Sequence, residues 1–287
     1  MGTDMKISNV IVSNDHTKKY YFTSDDFSSI HIEACLLNLS KYGYIICVSS
    51  QVGCAQTCKF CATGNKKFIR DLSSAEIVEQ IELIVKDNPQ LLCETFQVTY
   101  MGSGEPLSNY TNVFQSIDCI REQYANLSKV NISTTAPMVS EVCFNNVDWL
   151  NYKDFLHIQY SLHFTRDVER RDFLWSELMK ISDVIEYLNK ISALTGDMYK
   201  INYIPFANVN DNEEHAEELV DIFQSTQNAI LKISKMSDVI GSRLMPSEKF
   251  DEFVAYIGKS VERLEVFYSN GTDVNAGCGQ FYNDSIL

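Results

Sequence analysis

Apolar and polar positions follow two different rhythms along this chain. Over the first 42 residues the period is two: Ile7–Val12, Lys19–Phe22 and Ile30–Leu37 read as strands, broken by Asn-Asp and Ser-Asp turns. Tyr42–Val48 is a more continuous apolar run, as a buried strand requires. Further strand-like runs lie at Phe96–Met101, Val130–Thr134, Leu156–Leu162, Lys200–Pro205, Ile230–Ile233 and Leu264–Tyr268. Between them, apolar residues recur every three or four positions over about 74–87, 110–125, 175–195, 212–226 and 247–262, the spacing of one helix face. Ser73-Ser74-Ala75-Glu76 and Asp211-Asn212-Glu213-Glu214 supply helix starts with acidic residues in the first turn.

Alternation of strands and helices over most of a chain implies a parallel sheet with helical crossovers. About seven strands fall short of a closed eight-stranded barrel. The expected fold is therefore α/β, a partial (β/α)6 TIM-like barrel over 43–287, preceded by a small β-extension over 1–42. No internal repeat, low-complexity tract or Pro/Gly/Ser linker divides the sequence.

Composition narrows the class. With 287 residues, 45% hydrophobic and 22% charged, the chain can bury one large core. No apolar run approaches the roughly 18 residues that span a bilayer, and Met1–Lys6 lack the basic-then-apolar order of a secretion signal. A cytoplasmic protein without a membrane segment is expected. The net charge of −14 opposes a broad nucleic-acid surface, since such surfaces neutralise phosphates with clustered Lys and Arg. Here Lys66-Lys67 and Arg170-Arg171 are the nearest approach to clusters.

Nine cysteines in a cytoplasmic chain point to metal or redox chemistry rather than a disulfide framework. Three of them, Cys54, Cys58 and Cys61, stand at C-x3-C-x2-C, a loop tight enough to face three sulfurs towards one cubane. Three protein ligands leave one iron open to a substrate. A structural zinc site is the alternative. Zinc is almost always four-coordinate, and no second C-x2-C or H-x3-H accompanies the motif. Phe60, just before the last cysteine, is usual in the radical S-adenosylmethionine (SAM) superfamily, which the motif resembles. There the open iron chelates the methionine end of SAM.

Strand ends carry further candidates, because ligand sites of (β/α) barrels sit at the C-terminal ends of strands. Gly102-Ser103-Gly104-Glu105-Pro106 follows the second barrel strand, Ser133-Thr134 ends the third, and Ser161-Leu162-His163 ends the fourth. Gly104 permits close approach of a ligand to the backbone. Glu105 is a candidate for the SAM ammonium, and Ser133 and Ser161 for ribose or carboxylate. His163 is balanced between a site role and a packed, hydrogen-bonded strand-end ring. His16, His31, His157 and His215 show no ligand spacing. Arg70 is a candidate to hold the cluster loop or meet a carboxylate, with a solvated face the alternative.

Longer stretches resemble the RlmN/Cfr family of radical SAM RNA-adenine methylases. They are Cys47-Val48-Ser49-Ser50-Gln51-Val52-Gly53-Cys54 running on to Cys61-Ala62-Thr63-Gly64, Met101–Tyr110, Ile132-Ser133-Thr134, Ser161-Leu162-His163 and Gly271–Gln280, in family order from about residue 30 to 281. The resemblance implies a barrel of the radical SAM type, a [4Fe–4S] cluster, SAM, and an electron donor such as flavodoxin or ferredoxin. It also implies that Cys278 takes a methyl group from one SAM. A radical made from a second SAM then activates that methyl for addition to an sp2 carbon of an adenine ring. Cys47 would release the product by forming a disulfide with Cys278, and Glu33 matches the family's proton-accepting glutamate. From the residues alone, Cys47 reads first as a buried core thiol, while Cys278 sits in a flexible Gly-flanked segment. Cys35, Cys93, Cys119 and Cys143 read as core or surface thiols.

The sequence departs from the family pattern in one direction. The N-terminal helical domain that grips RNA has no counterpart, and Met-Gly-Ser-Gly at 101–104 replaces Met-Gly-Met-Gly. Ser237 or a neighbour stands for a SAM-contacting asparagine, and a Pro and an Asn are missing around Phe173–Leu178. Phe267 and Asn270 stand for two arginines. Ribosomal RNA is therefore a doubtful acceptor; a tRNA, a nucleotide or nucleoside, or a peptide or natural product stay open. Two other functions compete: a non-methylating radical SAM reaction on the same scaffold, and a non-catalytic iron–sulfur or zinc module.

Overall fold

The computed structural model describes residues 4–24, 32–175 and 177–281. Three antiparallel strands open it: β1 (Lys6–Val12), β2 (Lys18–Thr23) and β3 (Ile32–Leu39). Then come β4 (Gly43–Cys47), the small antiparallel pair β5 (Gln51–Val52) and β6 (Arg70–Asp71), and α1 (Ser74–Asp87). Alternation follows: β7 (Phe96–Tyr100), α2 (Tyr110–Gln123), β8 (Leu127–Thr134), α3 (Ser140–Asn146), β9 (Leu156–Ser161), α4 (Asp167–Phe173), α5 (Ile181–Thr195) and β10 (Tyr199–Tyr203). The last elements are α6 (Glu213–Gln224), β11 (Ala229–Ser234), α7 (Phe250–Ile257) and β12 (Leu264–Phe267).

One ten-stranded sheet runs β1-β2-β3-β4-β7-β8-β9-β10-β11-β12. Every pairing from β4 to β12 is parallel. Six β/α crossovers followed by a closing strand make this the expected partial barrel, open between β4 and β12. The open seam is braced by side chains. Tyr42, just before β4, donates to Glu265 on β12 at 2.5 Å, and Lys200 on β10 reaches the same carboxylate at 2.6 Å.

Helix ends follow the local chemistry. Ser73 and Glu76 form a reciprocal capping box at α1, and the Asn212 side chain accepts from His215 N–H at α6. Differences from the sequence pattern have physical causes. The helix expected over 175–195 starts at 181, where Asp167 accepts from Ile181 N–H at 3.0 Å; α4 precedes it as a separate helix. Ser176 within that stretch, and Ile30 and His31 at the start of an expected strand, lie outside the described residues, as do Met1–Thr3. The helix expected over 247–262 is trimmed to α7, where Gly258 closes it. The short α3, β5 and β6 carry too few residues for a period to show.

Each helix lays its apolar stripe on the sheet. Ile77, Ile81 and Ile84 of α1 and Val113, Ile117 and Ile120 of α2 are fully buried against Ile46, Val98 and Val130. That layer is rigid enough to hold the strand ends as a platform.

Candidate active site

The loop after β4 is woven into the one after β7. Val48 N–H donates to Thr99 O (2.9 Å), Gly102 N–H to Val48 O (3.0 Å) and Ser50 N–H to Ser103 O (2.9 Å). The fit leaves no room for side chains. A Cβ on Gly102 would meet Val48 O at 2.6 Å, and one on Gly104, whose φ is +111°, would meet Ser50 Oγ at 2.6 Å. Glu105 is buried beyond this turn. Its carboxylate accepts from Leu107 N–H (3.1 Å), Thr135 N–H (2.9 Å) and the Thr135 hydroxyl (2.9 Å). Thr134 adds a further side-chain hydrogen bond, so Glu105 mainly fixes the turn. Burial raises its pKa against those hydrogen bonds.

Cys54, Cys58 and Cys61 lie in the loop between β5 and β6, and burial, with repulsion among the three thiols, pushes the Cys54 and Cys58 thiols up. Among the described residues no three His, Cys, Asp or Glu side chains converge as a single ion requires. A cubane makes a different demand, because each thiolate binds its own iron. Nearby, Gln56 Oε1, Ser103 Oγ and His163 Nδ1 are buried with no hydrogen-bond partner among the described residues. Unsatisfied polar atoms beside a three-thiol loop and a glycine cradle suit a polar ligand held over a cluster.

Phe60 turns inward, edge-on to the His163 ring (centroids 5.2 Å) and tilted against Phe206 (5.3 Å). His163 has a φ of +56° and is buried; burial, with Arg170 and Lys232, lowers its pKa to about 3. It is a neutral ring at any ordinary pH. Leu162 is buried and takes part through its backbone: its N–H donates to Asn202 O and its carbonyl accepts from Arg170 Nε. Arg70 forms a two-pronged pair with Glu76 at the α1 cap (2.5 and 2.9 Å), so it does meet a carboxylate, a structural one.

Inside the barrel the strands contribute a connected polar row. Lys232 Nζ donates to Gln159 Oε1 (3.1 Å), Gln159 Nε2 to Ser133 Oγ (2.9 Å), and Ser133 and Ser161 share a hydrogen bond (3.0 Å). Lys232 is buried over the Phe267 ring at 3.9 Å, and burial lowers its pKa to about 8. Above this row a small enclosed pocket is lined by Phe60, Met101, Ser234, Ser237, Phe267 and Cys278. Beside it lies a cavity of about 130 Å³ that Cys47 and Cys278 both line.

The segment bearing Cys278 is pinned from two sides. Towards the cluster loop, Ala62 N–H donates to Gly279 O (2.8 Å) and the Thr63 hydroxyl to Phe281 O (2.7 Å). Towards the N-terminal hairpin, Gly271 N–H donates to Asp15 (2.8 Å), Asn14 N–H to Asp273 (3.0 Å) and Lys19 Nζ to Asn275 O (2.8 Å); the Ser13 hydroxyl also donates to Asp273. Cys278 is exposed at the chamber, its thiol pushed up by enclosure and held back by Lys232. Glu33 is almost fully buried, its carboxylate 2.6 Å from Lys19 Nζ.

A curated dual-specificity RNA methyltransferase RlmN from Sulfurimonas denitrificans is 30% identical over 96% of this chain and 80% of its own length. The chain belongs to the RlmN family. It is accordingly a radical SAM methyltransferase, of a family that uses SAM and an iron–sulfur cluster. A probable RlmN of Streptococcus thermophilus is 31% identical over 96% of the chain and 71% of its own length. The crystal structure of a radical SAM methyltransferase from Sphaerobacter thermophilus has the same fold, with a TM-score of 0.84 at 24% identity, over 97% of this chain and 81% of its own. No protein-family model matches the chain. No helix among the described residues is long and apolar enough to cross a membrane.

Sequence patterns missed several residues of this RlmN-family site. Cys93 and Cys119 are exposed and Cys143 is buried in the main core, as expected of ordinary thiols. Cys35 is different: it packs with Cys47, Ala276 and Phe281 in a cluster of its own. A signal was available, since Cys35 is two residues from Glu33 on a strand and shares its face. Lys19, Lys232 and Arg170 gave none, because burial of a charge is a tertiary event.

Proposed function

We propose that this RlmN-family chain methylates an sp2 carbon of an adenine-like ring through Cys278. Cys54, Cys58 and Cys61 would hold a [4Fe–4S] cluster, and SAM would lie beside it against Gly104, Glu105, Ser133, Ser161, His163 and Ser237. When bound, these groups supply a methyl group and, after one-electron reduction, a 5′-deoxyadenosyl radical. The chain's own part is to present and release. Cys278, as thiolate, accepts the methyl by displacement. Glu33, kept buried beside Lys19, is the group suited to take the proton the ring carbon loses. Cys47 closes on Cys278 as a disulfide and frees the product. The observation that carries this reading is the meeting of Cys47 and Cys278 on one cavity while the Cys278 segment is hydrogen-bonded to the cluster loop.

The acceptor we favour is a nucleotide, nucleoside or tRNA-sized RNA, not intact ribosomal RNA. A net charge of −14 disfavours a broad phosphate-binding surface. The cavity that Cys47 and Cys278 line measures about 130 Å³, the scale of a single base and not of a longer stretch of chain. A reductant of the flavodoxin or ferredoxin kind, a cytoplasmic setting, and a division into an extension at 1–42 and a barrel at 43–287 belong to the same reading.

Intact-mass analysis after anaerobic reconstitution tests it. Cys278 should carry an added methyl or methylene, and Cys278→Ala should still cleave SAM yet transfer no methyl. Methyl transfer by Cys278→Ala would end the relay reading and favour a direct radical reaction. Methylation of intact ribosomal RNA alone would sink the small-acceptor reading.

A further inference from the structure

The chamber holds one more thiol than a two-cysteine relay uses. Cys35 on β3 stands directly opposite Cys47 on β4 in their antiparallel register. Opposed residues on one face of such a pair have Cβ atoms about 4.5–5.5 Å apart. A disulfide needs about 3.5–4.5 Å, so bridging asks for a closure of about 1 Å. Both thiols line the cavity that Cys278 lines. Cys35 Sγ also lies 3.9 Å from the carbonyl oxygen of Ala276, two residues from Cys278. Contact with Cys35, ahead of burial, keeps the Cys47 thiol well above its ordinary range. Cys47 thus shares one cavity with two other thiols.

Resting on the relay reading above, we propose that Cys35 is the residue that resolves the Cys47–Cys278 disulfide. The Cys35 thiolate attacks Cys47 Sγ, a Cys35–Cys47 bond forms, and the Cys47–Cys278 bond breaks. Cys278 leaves with the electron pair and takes up the proton that Cys35 released, so the exchange is redox-neutral. Two equivalents of a small-molecule thiol entering the chamber then reduce the Cys35–Cys47 disulfide and are themselves oxidised to a disulfide. The exchange returns Cys278 for its next methyl group before any outside reductant arrives.

The test uses the cluster-loaded full chain. The enzyme is oxidised briefly with glutathione disulfide under anaerobic conditions and then desalted. Samples taken over time are acid-quenched, alkylated and mapped without reduction by mass spectrometry. In the parent chain a Cys47–Cys278 bridge should form first and convert to Cys35–Cys47, with Cys278 again open to alkylation. In Cys35→Ser, and in Cys35→Ala should the serine variant fold poorly, the Cys47–Cys278 bridge should persist at least roughly tenfold longer. A Cys47–Cys278 bridge equally long-lived in parent and variant, with Cys35 alkylated throughout, would overturn the role of Cys35 and leave the relay standing. Failure of Cys47 and Cys278 to bridge in the variant would overturn the relay itself, and this proposal with it.

Discussion

Two sets of three thiols meet at the mouth of this barrel, and they are assembled by opposite means. Cys54, Cys58 and Cys61 come from one loop of eight residues, held by backbone hydrogen bonds to its neighbours. Cys35, Cys47 and Cys278 come from two adjacent strands and the far end of the chain, and meet only through side-chain packing and hydrogen bonds. A group that must be bound tightly is served by a local loop. The thiols of the proposed relay are instead brought together by separate elements. Disturbing the long-range contacts should therefore cripple the second set and spare the first.

The largest contrast is expected from Cys54→Ala. Iron and sulfide content after reconstitution should fall to background, while Cys35, Cys47 and Cys278 keep their alkylation pattern. Next is Lys19→Met, which removes the ammonium facing the buried Glu33 carboxylate. A loss of about 3–5 kcal/mol in denaturant unfolding is expected, and Lys19→Met with Glu33→Gln should recover much of it. Retention of full stability by the single variant would show that the pair does not hold the hairpin.

Lys232→Met should shift stability the other way. The parent ammonium is buried, with a pKa of about 8 against 10.5 when exposed. Between those values the unfolded chain binds the extra proton, so the contribution of Lys232 improves as pH rises and is fully unfavourable below pH 8. At about 1.4 kcal/mol per unit of pH, the variant should gain at most roughly 3 kcal/mol at pH 7. That gain should vanish by pH 10.5, as parallel melting curves of the two proteins would show.

The smallest effect concerns the clasp between hairpin and Cys278 segment. Ser13 and the Asn14 N–H hold Asp273 below its ordinary range. For Asp15, burial opposes but hydrogen bonds from Gly271, Thr17 and Ser13 prevail. Both depressed carboxylates favour the clasp above about pH 3.8 and lose that effect as pH falls. Hydrogen exchange of residues 271–281, corrected for intrinsic rates, should quicken below that pH. Asp273→Asn should quicken it at neutral pH.

The same contrast explains what the sequence disclosed. The cluster loop and the capped starts of α1 and α6 were legible because their determinants lie within a few residues. The parallel order was legible because strand–helix alternation allows little else. Gly104 stood out as a glycine, and its φ of +111° gives the reason. Cys35 did not stand out, because its meaning depends on register with β4, which no local pattern encodes. Lys232 and Arg170 gave no signal for a similar reason: neither shows its burial until the barrel is folded round it.

The clasp has a bearing on the order of assembly. Its hydrogen bonds join residues 256 to 260 positions apart, the longest separations the site uses. Such contacts close late, after the strands between them have paired. Contact order thus puts the seating of Cys278, the proposed methyl carrier, after the pairing of the strands between.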